Sequence, residues 1–246
     1  MVTFASEPIF TIGFVKITNT VLDTILVDAI ILSLVYFLTK NLKAAPGLLQ
    51  SGAELLTNWF YSLTESVSQT NAAKIFPYFM TFFLFILVAN WTGLIPGVGT
   101  IGFFENKKLI PILRGATSDM NMTLALALIS AFATHSMSIK TVGIKDYLSR
   151  YFSLNPINLF IGILEIISEI TKIISLSFRL FGNIFAGEVV LITVSGIFAF
   201  LFPIPFLLLE LIVGIVQALV FSMLTMVFMA ILTTPHHVQA KEVSHR

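Results

Sequence analysis

The sequence predicts an all-α integral membrane protein with about five membrane spans and an interfacial helix, the last two spans longer than an upright crossing needs. Three observations lead there. The 246 residues are 57% hydrophobic and only 11% charged, with a mean hydropathy of +0.95, whereas soluble domains carry about 25% charged residues. So few charges cannot clothe a water-facing surface of this size. Apolar runs of span length recur along the chain, and the two C-terminal runs are longer than the roughly 20 residues that cross a hydrocarbon core about 30 Å thick.

The first span is expected at about Thr20–Thr39, ending at Lys40 and Lys43. After Pro46, Leu48–Leu63 places Leu48, Leu55, Leu56, Trp59, Phe60 and Leu63 at helical spacing, with Glu54 and Glu65 elsewhere. It reads as an interfacial helix or, equally, as a buried connector. The second span is about Ile75–Ile95, closed by Pro96-Gly97, and a polar loop with Lys107, Lys108 and Arg114 leads to the third, about Met120–Met137. A loop from Lys140 to Arg150 follows. Then 45 residues, Asn158–Phe202, contain no proline. As one helix they would be about 67 Å long, so they cross twice, breaking near Gly182-Asn183, or cross once at a steep tilt. A last run, Ile204–Leu232, ends at Thr233-Thr234-Pro235. A single crossing puts Lys40, Lys43, Lys74, Lys140, Lys145, Arg150, Lys241 and Arg246 on one side, against Lys16, Lys107, Lys108 and Arg114. The richer side is expected inside. Two crossings give six against six, so loop charge favours one.

A net charge of +1 with no basic run argues against nucleic-acid binding. The absence of cysteine excludes disulfides and thiolate metal sites, and no metal-ligand spacing surrounds His135, His236, His237 or His245. No cofactor is expected, nor a phosphate-binding glycine loop for nucleotide. The start, MVTFASEPIF, lacks the features of a removable signal peptide.

Charges inside a span cost about 2.5–3.5 kcal/mol each on insertion scales and mark ion paths. At 100° per residue, with Glu165 at zero, Glu169 lies at about +40°, Lys172 at −20°, Arg179 at −40° and Asn183 at 0°. That face must meet protein or water. Arg179 has no acid three or four residues away and keeps its proton, whereas a buried carboxyl can shed one. It is therefore expected to be a fixed positive gate rather than half of a structural ion pair. Glu169 and Lys172, three apart, are spaced to neutralise each other, and a solvated helix end competes for Glu165 and Glu169. Glu188 lies about 180° around from Arg179. Glu210 and Gln217 share a face of the final run with Gly214 between them. Glu188 and Glu210 read as functional acids. Asp119 and Asn121 are placed to cap a helix, and Asp28 has no assigned role.

The segment Ser175–Glu188, SLSFRLFGNIFAGE, resembles the signature of the F-type ATP synthase subunit a family. ITNT at Ile17–Thr20, NWTGLIPG at Asn90–Gly97, SDMNMTLALAL at Ser118–Leu128 and IVQALVFSMLT at Ile215–Thr225 follow in the family's order. The resemblance implies two long, steeply inclined helices wrapping a c-ring, with subunit b of the peripheral stalk as a further partner and the lipid bilayer around them. It implies a non-catalytic ion channel. The family's essential arginine falls on Arg179. The outer half-channel falls on Glu188 and Glu210, with Asn183 and Gln217 nearby and Asp119 and Asn121 at its mouth. The inner half-channel falls on Glu165, with Glu169 a further candidate. Many members carry histidine at one of the two outer positions, where this chain has two glutamates, and some carry an acid where it has Gly93. One membrane domain is expected: an external end over 1–19, peripheral spans and loops over 20–155, a ring-facing hairpin over 156–234 and a cytoplasmic tail over 235–246, in a bacterial plasma membrane. A secondary ion transporter is the alternative, although no inverted repeat is found.

Overall fold

The computed structural model describes residues 8–12, 15–40, 42–43, 46–95, 102–105, 108–152, 156–197 and 203–234. The expected Pro96-Gly97 stop, Lys107, the residues around Phe202 and the tail with His236, His237 and His245 lie outside them. Seven α-helices follow one another: α1 Asn19–Thr39, α2 Leu48–Val67, α3 Ala72–Leu94, α4 Met120–Val142, α5 Ile144–Tyr151, α6 Pro156–Ile197 and α7 Pro203–Thr233. Of the described helices, α1, α3, α4 and α7 are long and apolar enough to cross a membrane. At 42 residues, α6 is about 63 Å long.

The unbroken course of α6 through Gly182 and Asn183 excludes a helical hairpin at that point. A glycine lowers helix propensity by only about 1 kcal/mol, and packing along the helix outweighs it. Two short antiparallel hairpins appear that hydropathy did not foresee: β1 Pro8–Ile12 with β2 Val15–Thr18, and β3 Gly102–Glu105 with β4 Lys108–Pro111. They sit before α1 and before the 3-10 turn Ala116–Ser118 that leads into α4. The expected loop at Lys140–Arg150 is a correction as well, because α4 runs on to Val142 and α5 occupies Ile144–Tyr151.

The core forms where α3, α4, α6 and α7 meet. Phe79, Phe83 and Ile86 of α3 pack with Leu126 and Ala127 of α4, Leu180 of α6, and Phe221 and Met226 of α7. Between spans, lipid removes the hydrophobic drive, so close packing and hydroxyl bonds hold helices together. Accordingly Ser130 Oγ lies 2.8 Å from Thr225 Oγ1, Ser138 Oγ donates to Leu232 O at 2.6 Å, and Thr123 Oγ1 lies 3.2 Å from Ser177 Oγ. All are buried. α1 joins differently. Its buried side chains are Asn19, Thr20, Asp23 and Val27, three of them polar and all near its start, while most of its other apolar side chains are exposed.

α2 resolves the choice left open for Leu48–Leu63. It buries only Phe60 and Thr64; Leu48, Leu49, Leu55 and Trp59 stay exposed. It is a surface helix clipped to α3 through Phe60, which packs on Phe79 and Phe83, and not a buried connector.

Replacing Ser130 or Ser138 by alanine should lower stability by about 0.6 kcal/mol each, and at most about 1.7 kcal/mol. Thermal unfolding of the detergent-solubilised protein checks this, and an unchanged midpoint in both variants would contradict the hydroxyl links.

Candidate ion-translocation site

Two polar clusters form on α6, one towards each end, and Arg179 lies between them. By helical rise Arg179 is about 15 Å from Glu169 and about 13.5 Å from Glu188.

At the start of α6, polar side chains from α4, α5 and α6 converge. Arg150, carried by α5, lies 3.6 Å from Glu165 and reaches Ile231 O of α7 at 3.5 Å. Glu169 takes Lys172 Nζ at 2.6 Å, and its other oxygen lies 3.6 Å from Nε2 of His135 on α4. His135 Nδ1 is 2.9 Å from the Tyr147 hydroxyl. Lys172 also sits over the Phe228 ring, 4.2 Å from its centroid. The expected neutralisation of Glu169 by Lys172 is therefore present, and neither glutamate is a bare, solvated helix end. Tyr151 of α5 packs beside Tyr147. Burial, then the neighbouring Tyr147, Glu165 and Glu169, pushes its phenol upward, so it keeps its proton.

The far cluster faces α7 and the turn before α4. Arg114 Nη2 lies 3.8 Å from Glu188 Oε2, and its Nε donates to Ser118 Oγ at 3.1 Å. Asn183 Nδ2 donates to Gln217 Oε1 at 2.8 Å, tying α6 to α7. Glu210 is 5% exposed, and its carboxyl group rests on the bare Cα of Gly187, where a methyl group would overlap it. Asp119 accepts the Asn121 backbone N–H at 2.9 Å, the cap its spacing suggested, and Thr20 of α1 donates to its other oxygen at 3.2 Å. Asn121 is exposed. Asn90 Nδ2 donates to Gly214 O at 3.1 Å, which fixes α3 on α7 beside Gln217. Polar atoms of Glu188, Glu210, Gln217 and Asn90 on this side are buried without a hydrogen-bond partner.

Arg179 differs from every other charge on α6. It is exposed and lines an open groove of about 410 Å³ with Ser168, Thr171, Lys172, Ser175 and Phe228. Among the described residues it has no hydrogen bond or ion pair within the chain. The structural ion pair that competed with a gate for this residue is absent there.

Residues 21–230 match the family profile described as ATP synthase A chain. The chain belongs to that family. Over 219 residues it is 33% identical to "ATP synthase subunit a 1" of Hahella chejuensis, covering 89% of this chain and 86% of that one. It is 30% identical over 222 residues to "ATP synthase subunit a" of Moorella thermoacetica, with 90% and 94% covered. For "ATP synthase subunit a" of Geotalea daltonii the figures are 35% over 208 residues, with 83% of both chains covered. The chain is thus a subunit a of an F-type ATP synthase, a multi-pass membrane protein of the ion-transporting sector, and these relatives are bacterial.

Several residues of the two clusters escaped the sequence reading. Arg114 counted only as a loop charge, yet it meets Glu188. Outside the clusters, Asp23 is a further buried acid, and an acid four residues into a span is a signal in itself; Asp28 is exposed. Arg150, His135 and Tyr147 come together only through the packing of α4, α5 and α6.

Gly187→Ala should displace the Glu210 carboxyl and lower ATP-driven ion pumping in vesicles roughly tenfold or more. Gly52→Ala, in open space on α2, is the control and should pump normally. Equal rates for the two variants would show that the Glu210 position is immaterial.

Proposed function

We propose that α6 and α7 form the face that meets the c-ring, with Arg179 as the gate between two offset half-channels. The outer half-channel comprises Glu188, Glu210, Asn183 and Gln217, with Asp119 and Asn121 at its mouth. The inner one comprises Glu165 and Glu169. A proton enters at the outer cluster and passes to a ring carboxylate. It rides the ring until Arg179 attracts the ring carboxylate in its ionised form, and the proton that the carboxyl sheds leaves through the inner cluster. Arginine does not lose its own proton, so it blocks direct transfer between the half-channels. One charge falling through 100 mV releases about 2.3 kcal/mol, and the offset turns that into rotation.

The observation that carries this reading is the lone exposed arginine between two paired clusters on one continuous helix. A cation so placed calls for an acidic partner from outside the chain. The buried polar atoms left without partners around Glu188, Glu210 and Gln217 support a hydrated path, since such atoms are normally satisfied by water. In this role the chain makes and breaks no covalent bond. Subunit b of the peripheral stalk holds it against the rotor.

The membrane arrangement follows the same logic. Ser138 meets Leu232 O and Arg150 meets Ile231 O, so α4 and α7 end beside the start of α6. On the opposite side Thr20 meets Asp119 and Asn90 meets Gly214. This alternation supports five crossings, with α6 and α7 crossing once each at a tilt that accommodates their length. The amino end is then outside and the carboxyl end cytoplasmic in a bacterial plasma membrane. The division into 1–19, 20–155, 156–234 and 235–246 follows.

Arg179→Ala should abolish ion-driven ATP synthesis in vesicles while the complex still assembles; normal synthesis would remove the gate. Glu210→Gln should slow proton passage at least tenfold, and unchanged flux through the membrane sector would take Glu210 off the path.

A further inference from the structure

Asp23 is an acid inside the first span that neither half-channel uses. It is 1% exposed, on a helix whose later apolar side chains are largely exposed, and a carboxylate within a span is costly to insert. Its Oδ2 accepts the backbone N–H of Ala116 at 2.8 Å and lies 3.3 Å from the Thr92 hydroxyl of α3. A backbone N–H bonded to a carboxylate is about twice as strong as a neutral pair. The bond therefore fastens the turn Ala116–Ser118 to α1.

That turn is the base from which Arg114 reaches its partner. Ser118, whose N–H donates to Gly115 O at 3.0 Å, accepts Arg114 Nε at 3.1 Å, and Arg114 Nη2 faces Glu188. The turn also lies tight on α3. A Cβ on Gly93 would stand 3.2 Å from Gly115 Cα, and one on Gly115 would stand 3.1 Å from Gly93 Cα. Both distances are tighter than an ordinary contact, so the two glycines let the turn lie close on α3 while Asp23 bonds it from α1.

We propose that Asp23 is a positioning residue for ion entry: it pins the turn that presents Arg114 to Glu188. This rests on the reading of Glu188 as an outer half-channel residue. The role requires an acceptor at Oδ2 and no exchange of protons. Asparagine, whose amide oxygen can accept the same bonds, should therefore replace Asp23, while alanine should not.

The test uses the assembled ATP synthase in inverted membrane vesicles, with ATP-driven proton pumping as the readout. Asp23→Ala should lower pumping on the order of tenfold, and Asp23→Asn should retain at least about half the rate with an unchanged pH profile. Asp23→Ala combined with Arg114→Gln should pump no more slowly than Arg114→Gln alone, since both act through one pair. Losses that multiply in the double variant would overturn the inference, as would an asparagine variant as slow as alanine with a shifted pH profile.

A second readout does not depend on transport. The chain has no cysteine, and Thr117 is 0% exposed with its hydroxyl unbonded, so Thr117→Cys is a silent reporter of the turn. Asp23→Ala should open it to an aqueous maleimide and Asp23→Asn should leave it shielded. If alanine leaves it shielded, the pin itself is refuted. If labelling rises while Glu188→Gln and Arg114→Gln both pump normally, the half-channel reading has failed and Asp23 loses its role in transport. Should the alanine variant not assemble, Asp23→Ser, which is too short for either bond, takes its place in both assays with the same expected results.

Discussion

Ionised groups in the low-dielectric interior of a membrane must be matched, and α6 brings five of them into that environment. Born costs fall only when each charge meets a counter-charge, a hydrogen-bond donor or water. For four of the five the match comes from this chain. Arg150 answers Glu165, Lys172 answers Glu169, and Arg114 answers Glu188. Arg179 has no such match among the described residues. Much of the rest of the chain can be understood as the means of delivering those counter-charges and leaving that one cation open.

The delivery depends on packing. Large aromatic side chains of α3 and small or hydroxylated ones of α4 let α7 come close, and α7 then offers Glu210 to Gly187 and Gln217 to Asn183. Because α6 is continuous, its two clusters are held apart by helical rise and cannot merge through local bending. A rigid separation of this kind is what a leak-proof pair of half-channels needs. α1 contributes by its polar start alone, which explains why so apolar a helix buries Asn19, Thr20 and Asp23.

Much of this could be read from the sequence, for identifiable reasons. The spans stand out because some 20 apolar residues in a row have few other uses. The polar stripe on α6 stands out because 100° per residue is a fixed rotation. What stayed hidden depends on contacts distant in sequence. Glu188 is answered from the turn before α4, and Glu165 from a short helix. That helix, α5, is only eight residues long and rich in charge, so periodicity did not separate it from a loop. Continuity through Gly182-Asn183 was undecided because the cost of one glycine is smaller than the packing that opposes a break. The two hairpins are too short to carry a period.

The most direct measurement is the position of the Arg179 side chain in the assembled membrane sector, determined by electron cryomicroscopy with the c-ring in place. The guanidinium should face the ring, opposite a c-subunit carboxylate, with separate aqueous openings leading to the Glu188 and Glu165 sides. An Arg179 turned to lipid or bulk water, remote from any rotor carboxylate, would contradict it.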